Sequence, residues 1–224
     1  MWQILYKIEK GDRFVKRYRA VITTKENFEN NGIGVYVHWN GGYDSVSAFL
    51  KYCELKGYRT PSQDNYGWAR LCQVIGNFFG GSTSVGIDTV NKLDCDNYDN
   101  GVYIIEGWEI VDRKFFRGRE QMDYELEEML LGIDDCMPVK EQIGEYIKAK
   151  EIPVNNLKVG DTVILMDYDG KILKHKVMGF GKDTFVNGTN VSGLPYVDLY
   201  GNENGEFDWN YNNYIHTQTV RVVE

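Results

Sequence analysis

His38 stands in the run Val37-His38-Trp39-Asn40-Gly41-Gly42, where the residue types favour chemistry more than elsewhere in the chain. A histidine titrates near neutral pH and can act as a general base. The run is rich in β-forming residues and ends in a polar, glycine-rich turn, where a backbone can approach a ligand closely. The alternative is a hydrogen-bonded histidine that anchors the turn, and the sequence leaves both interpretations open.

Four further residues complete the predicted ligand site, namely Asn40, Tyr43, Arg59 and Arg70. Aromatic rings can stack on a nucleobase, and arginine can pair with a phosphate through two hydrogen bonds. An anion would be opposed by Asp44, which is predicted to cap the helix that follows. Ordinary packing of the aromatic side chains is the alternative. If the protein is an enzyme, His38 is the catalytic candidate.

Metal and cofactor sites are not predicted. The segment Asp94–Gly101 has the oxygen-rich composition of a calcium loop but lacks the terminal glutamate and flanking helices of an EF-hand. The cysteines, at positions 53, 72, 95 and 136, have no C-x-x-C spacing, so we expect reduced thiols and no zinc. No phosphate-binding glycine motif or G-x-S-x-G nucleophile motif occurs.

Two helices with apolar stripes are predicted to position the candidate residues. They run from about Asp44 to Gly57 and from about Asn65 to Phe79, with apolar residues at helical spacing. Further helices are predicted at Glu120–Asp134 and Lys140–Lys150. We expect the first two helices to cover a sheet that holds Val35 and Val37, and to bury Phe49, Leu50, Trp68, Leu71 and Ile75.

The pattern changes after Ile152 to short strands separated by glycine and asparagine turns. Leu157–Val163, with its K-V-G-D turn, resembles the entry to small SH3-like β-barrels. Strands are also predicted at Trp2–Ile8 and Gly205–Trp209. The sequence therefore predicts an α+β protein, in which a mixed α/β module with a sheet and several helices (1–150) precedes a mostly antiparallel, barrel-like module (151–224).

Composition narrows the class of partner. The formal net charge of −8 makes nucleic acid an unfavoured partner, because proteins that bind it usually carry a basic face. No apolar run reaches the roughly 18 residues of a membrane span, and the first residues do not resemble a signal peptide. We expect a cytoplasmic protein. The oligomeric state stays open, with a homo-oligomer among the options.

The segment Val35–Gly42 with its following helix resembles a family of uncharacterised phage and prophage proteins. These have a strand that ends in an H/Q-W/F/Y-D/N-G signature, and Tyr66–Leu71 is similar to their second element. The resemblance spans Ile33–Val111, and Gly42-Tyr43 replaces the usual Tyr-Pro. The resemblance implies a viral or mobile-element origin, a location in the host cytoplasm, and a role in countering bacterial defence.

Three hypotheses about function follow. The first is a non-enzymatic binding protein that sequesters a nucleotide-type signal or a host defence protein. The second is a hydrolase of a nucleotide signal that uses His38 as its base. The third is a structural or interaction module without a small-molecule ligand.

Overall fold

A computed structural model describes residues 18–80, 84–117, 119–167, 170–182, 185–186, 188–198 and 214–223. The fold is α+β, and the chain divides between Gln142 and Ile143 into two compact units. This division precedes the change of pattern near residue 150, because a short helix that leads into the later strands belongs to the second unit. The strands predicted at Trp2–Ile8 and Gly205–Trp209 lie outside the described residues.

The first unit is built on a five-stranded sheet, whose strands are β1 (Ala20–Thr24), β2 (Ile33–Val37), β3 (Val85–Thr89), β4 (Val102–Glu106) and β5 (Glu109–Lys114). Their order in the sheet is β3-β2-β1-β4-β5. The central strands β1 and β4 are parallel, whereas the other neighbouring strands are antiparallel. Because β1 and β4 run in the same direction, their carboxyl ends meet at one edge of the sheet.

Among the described residues, four α-helices accompany this sheet, namely α1 (Lys25–Glu29), α2 (Tyr43–Leu55), α3 (Asn65–Phe78) and α4 (Leu126–Asp134). Of these, α2 packs against both α3 and α4. The predicted apolar stripe is confirmed, since Phe49, Leu50, Trp68, Leu71 and Ile75 are all buried, as are Val35 and Val37.

Three predicted helix boundaries were wrong. The N-cap of α2 is Gly42, because the Asp44 carboxylate binds backbone N–H groups elsewhere. The helix predicted at Glu120–Asp134 begins only at Leu126, after a segment that those contacts hold outside the helix. The helix predicted at Lys140–Lys150 is reduced to α5 (Gly144–Lys148), because Lys150 already enters a strand.

The strands of the second unit are β6 (Lys150–Pro153), β7 (Thr162–Met166), β8 (Ile172–Phe180), β9 (Phe185–Val186), β10 (Thr189–Asn190), β11 (Pro195–Val197) and β12 (Thr219–Val222). They form an all-antiparallel sheet in the order β11-β8-β7-β12-β6 and a two-stranded hairpin of β9 and β10. Valine side chains from four of these strands form the core of this unit together with Val154, Leu157 and Ile215, which lie outside the strands. Within the described residues the sheet stays open and does not close into a barrel.

Across the described part of the chain, no helix has the length and apolar character needed to cross a membrane.

Candidate functional site

His38 lies just beyond β2, not within the strand as predicted. Its backbone N–H donates to the Ser84 carbonyl at 2.8 Å. Its Nδ1 lies 3.0 Å from the Tyr36 hydroxyl, and its ring meets Trp39 edge-on with 5.1 Å between centroids. The imidazole is therefore half-buried and held by its neighbours, which is the geometry of an anchored turn.

Asn40 and Gly41 form a tight turn against the start of β1. Asn40 is buried and has φ = 51°, in the left-handed region that asparagine tolerates better than most residues. Gly41 donates its N–H to the Tyr18 carbonyl at 2.6 Å. A Cβ at Gly41 would come within 2.5 Å of that same oxygen, so only glycine fits. The Gly41 N–H is thus engaged by the fold, not offered to an anion.

Asp44 joins α2 to the segment that precedes α4. The residue is 8% exposed, and its carboxylate accepts from three backbone N–H groups, those of Ser45 at 2.6 Å, Asp123 at 2.5 Å and Tyr124 at 2.9 Å. The pKa of the Tyr124 phenol is raised, mainly because the side chain is buried, so this hydroxyl stays protonated. These contacts give Asp44 a structural role.

Replacing Asp44 with asparagine should cost about 1.5–3 kcal/mol of unfolding free energy, the usual value of a charged hydrogen bond. The amide keeps the size of the side chain but turns one acceptor into a donor that faces backbone N–H groups. Urea unfolding measures the loss. The exposed Asp135→Asn is the control, with an expected change below about 0.5 kcal/mol. An equally small change for Asp44→Asn would contradict the structural role.

An arginine that the sequence did not single out lies near the junction formed by His38–Tyr43. The Arg113 guanidinium stacks over Tyr103, with 4.4 Å between its Cζ and the ring centroid, and the Tyr103 ring lies 6.5 Å from that of Tyr43. Arg113 also donates to the side chain of buried Asn100 at 2.5 Å and to Glu120 at 2.7 Å. Glu120 balances the positive charge of Arg113. This arginine therefore offers no free positive charge to a phosphate at the junction.

The oxygen-rich segment Asp94–Gly101 supplies part of this hydrogen-bond network through Asn100. Its sequence did not predict that role. Asn97 Oδ1 accepts from the N–H groups of Asp99 and Gly101, which shapes the turn before β4. Asn97 and Asn100 are both buried. The polar residues of Asn97–Gly101 indicate a turn in the sequence. They do not identify hydrogen-bond partners that lie farther along the chain.

Arg59 and Arg70 lie at the opposite edge of the sheet. Arg59 pairs with Asp64 at 2.6 Å, and Arg70 donates to Gln73 at 2.6 Å and stacks on Tyr58. The carbonyl of Tyr58 accepts from Trp108, which follows β4, whereas Gly41 contacts the residues before β1. The 13 residues of α2 span about 20 Å between the two regions. The structure therefore does not bring these arginines to His38, Asn40 and Tyr43.

A cleft of about 510 Å³, the end cleft, opens at the carboxyl ends of β1 and β4. One wall is α1 with Asn30, and the other is the segment Pro61–Asn65, a loop that ends at the first residue of α3. Its lining includes Trp68, which is 6% exposed, and Ile105, which is 1% exposed, so the floor is apolar. Carboxylates and amides form the rim. Arg59 lies beside this cleft through its ion pair with Asp64.

Local sequence explains both walls. The Thr24 hydroxyl accepts from Asn27 N at 3.3 Å and starts α1 directly at the end of β1. Asp64 caps α3 by accepting from Tyr66 N and Gly67 N. Gly67 has no side chain, and this lets the backbone of Thr60 and Pro61 cross the first turn of α3. Without that crossing the loop would not form the second wall.

The rim of the end cleft is acidic. It carries Glu26, Glu29, Asp64 and Glu106 against one lysine, Lys25. Asp64 is paired with Arg59. Hydrogen bonds from Lys114 and from the Arg113 N–H lower the pKa of Asp112, and the nearby charge of Lys25 adds a smaller effect. In the part of the chain that the structure describes, no ion pair involves Glu26, Glu29 or Glu106.

Within the described ranges, no group of three or more His, Cys, Asp and Glu side chains is placed to hold a metal ion. Comparison of the chain with protein-family models, with curated proteins and with solved structures finds no match. In the first unit, the junction and the end cleft can be compared as functional regions. The end cleft has open volume and polar groups that the fold leaves accessible, whereas the junction is filled by internal hydrogen bonds.

Proposed function

We propose that the protein is a binding protein that holds its ligand in the end cleft. The observation that carries this proposal is an open cleft of about 510 Å³ with a buried aromatic and aliphatic floor and a polar rim. Ligand sites are commonly concave, mostly apolar and fitted with a few polar groups. In sheets with parallel strands they commonly lie at the carboxyl ends.

Binding is favoured over catalysis by the place of His38. The imidazole lies at the opposite edge of the sheet from the end cleft, and its Nδ1 meets the Tyr36 hydroxyl at 3.0 Å. A general base must come within hydrogen-bond reach of the proton it removes. A hydrolase that uses His38 would therefore need a different ligand site from the end cleft.

The biological setting follows from the phage-type signature at Val35–Gly42 and remains part of the proposal. A mobile-element protein in the host cytoplasm would counter defence by sequestering a host signal or a host protein. A nucleotide-type signal would have to enter the end cleft by its nucleoside end, because Glu26, Glu29 and Glu106 repel phosphate. A module without a small ligand is the remaining alternative.

A thermal-shift screen with nucleosides, nucleotides and amines, followed by chromatography of the released ligand, tests this proposal. Ligand recovered unchanged supports binding, and altered ligand supports an enzyme. Ser62→Trp places a bulky ring at an exposed position of the cleft wall and should weaken binding at least tenfold. Lys140→Trp, exposed and away from the cleft lining, is the matched control. Equal binding by both variants would place the ligand elsewhere.

A further inference from the structure

We infer that the ligand of the end cleft is an organic cation with ammonium groups on an aliphatic scaffold, of the polyamine class. This inference rests on the proposed function, because it names the ligand of the same site. It uses two properties of the cleft that do not depend on each other, the charge of its rim and the character of its floor.

The rim places carboxylates on different elements around the opening. Glu26 and Glu29 belong to α1, and Glu106 ends β4. All three are exposed, and within the described residues none of them enters an ion pair. The positive charge of Arg59 is paired with Asp64, so Lys25 is the one lysine of the lining against the three glutamates. A cationic ligand can therefore meet carboxylates from both α1 and β4.

The floor selects an organic scaffold over an inorganic ion. Ile33 and Val111 line the cleft and are partly exposed, so they present hydrocarbon to it, whereas Trp68 and Ile105 are almost fully buried beneath the lining. A methylene chain gains affinity when it is buried against such apolar surface. A hydrated metal ion would gain nothing from this floor, and a phosphate would be repelled by the rim.

Isothermal titration calorimetry with spermidine tests the inference on the full chain. We expect one site whose affinity falls as salt rises, since exposed charges are screened beyond the Debye length. Each exposed ion pair contributes about two- to fivefold in affinity. The double variant Glu26→Gln, Glu106→Gln should therefore bind about five- to twentyfold more weakly. Glu127→Gln, an exposed position on α4, removes charge without touching the cleft and should bind as the parent does.

Two neutral probes separate this inference from the proposed function. 1,8-Octanediol, a chain without charge, should bind far more weakly than spermidine. The inference is overturned if spermidine does not bind, or if the double variant binds it as tightly as Glu127→Gln does. If adenosine binds instead and Ser62→Trp blocks it, the end cleft remains the binding site and only its ligand class is wrong. If neither spermidine nor any compound of the screen binds, both proposals fail.

Discussion

Gly67→Ala is expected to lower the unfolding free energy by about 1–3 kcal/mol and to abolish ligand binding in the end cleft. A Cβ at this position would lie 2.2 Å from the Thr60 carbonyl carbon and 2.4 Å from the Pro61 nitrogen. Both obstacles are backbone atoms, so no side chain can rotate away. The Pro61–Asn65 wall must move off α3, and the cleft loses its shape.

The same helix supplies a matched control in Gly76. A Cβ there would meet nothing within 4 Å, so Gly76→Ala should gain about 0.5–1 kcal/mol from helix propensity alone. The two variants differ only in position along α3, and chemical denaturation should show opposite signs. Two stabilising changes would mean that the loop does not cross α3 at Gly67.

Leu71→Ala should cost about 2–5 kcal/mol, the range for truncating a buried leucine. Leu71 lies on α3 and is 0% exposed, so its side chain is fully buried in the first unit. The missing methyl groups leave a cavity that the surrounding strands and helices cannot fully close. Chemical denaturation followed by tryptophan fluorescence measures the loss.

Leu126→Ala is the control for that experiment, because Leu126 is 48% exposed at the start of α4. It should cost less than about 1 kcal/mol. A loss below about 1 kcal/mol for Leu71→Ala as well would contradict the burial of the α3 stripe.

The elements that the sequence predicted well are those specified by local spacing. The stripes of α2 and α3 repeat at helical period, and Asp64 and Gly57 mark a start and an end that depend only on neighbours. The strand β3 and the helix α1 escaped prediction. β3 is short and has Gly86 and Asp88 on either side of Ile87, and α1 has five residues with no buried side chain.

The candidate site was less predictable because its contacts join distant parts of the chain. Asp44 is of a residue type that often caps a helix, but its hydrogen-bond partners Asp123 and Tyr124 lie 79 and 80 residues away in the chain. The end cleft depends on the parallel pairing of β1 with β4, which local sequence does not specify. Arg59 was chosen for its charge and lies beside the end cleft, yet it pairs with Asp64.

The most direct test of the central claim is an NMR titration of the ¹⁵N-labelled protein with spermidine, and with any ligand that the screen identifies. We predict that the backbone amides of Asn27, Gln63 and Glu106 shift together, while those of Gly41 and Gly42 stay in place. Shifts confined to Gly41, Gly42 and Tyr43 would instead place the ligand at the His38–Tyr43 junction and contradict the assignment of the end cleft.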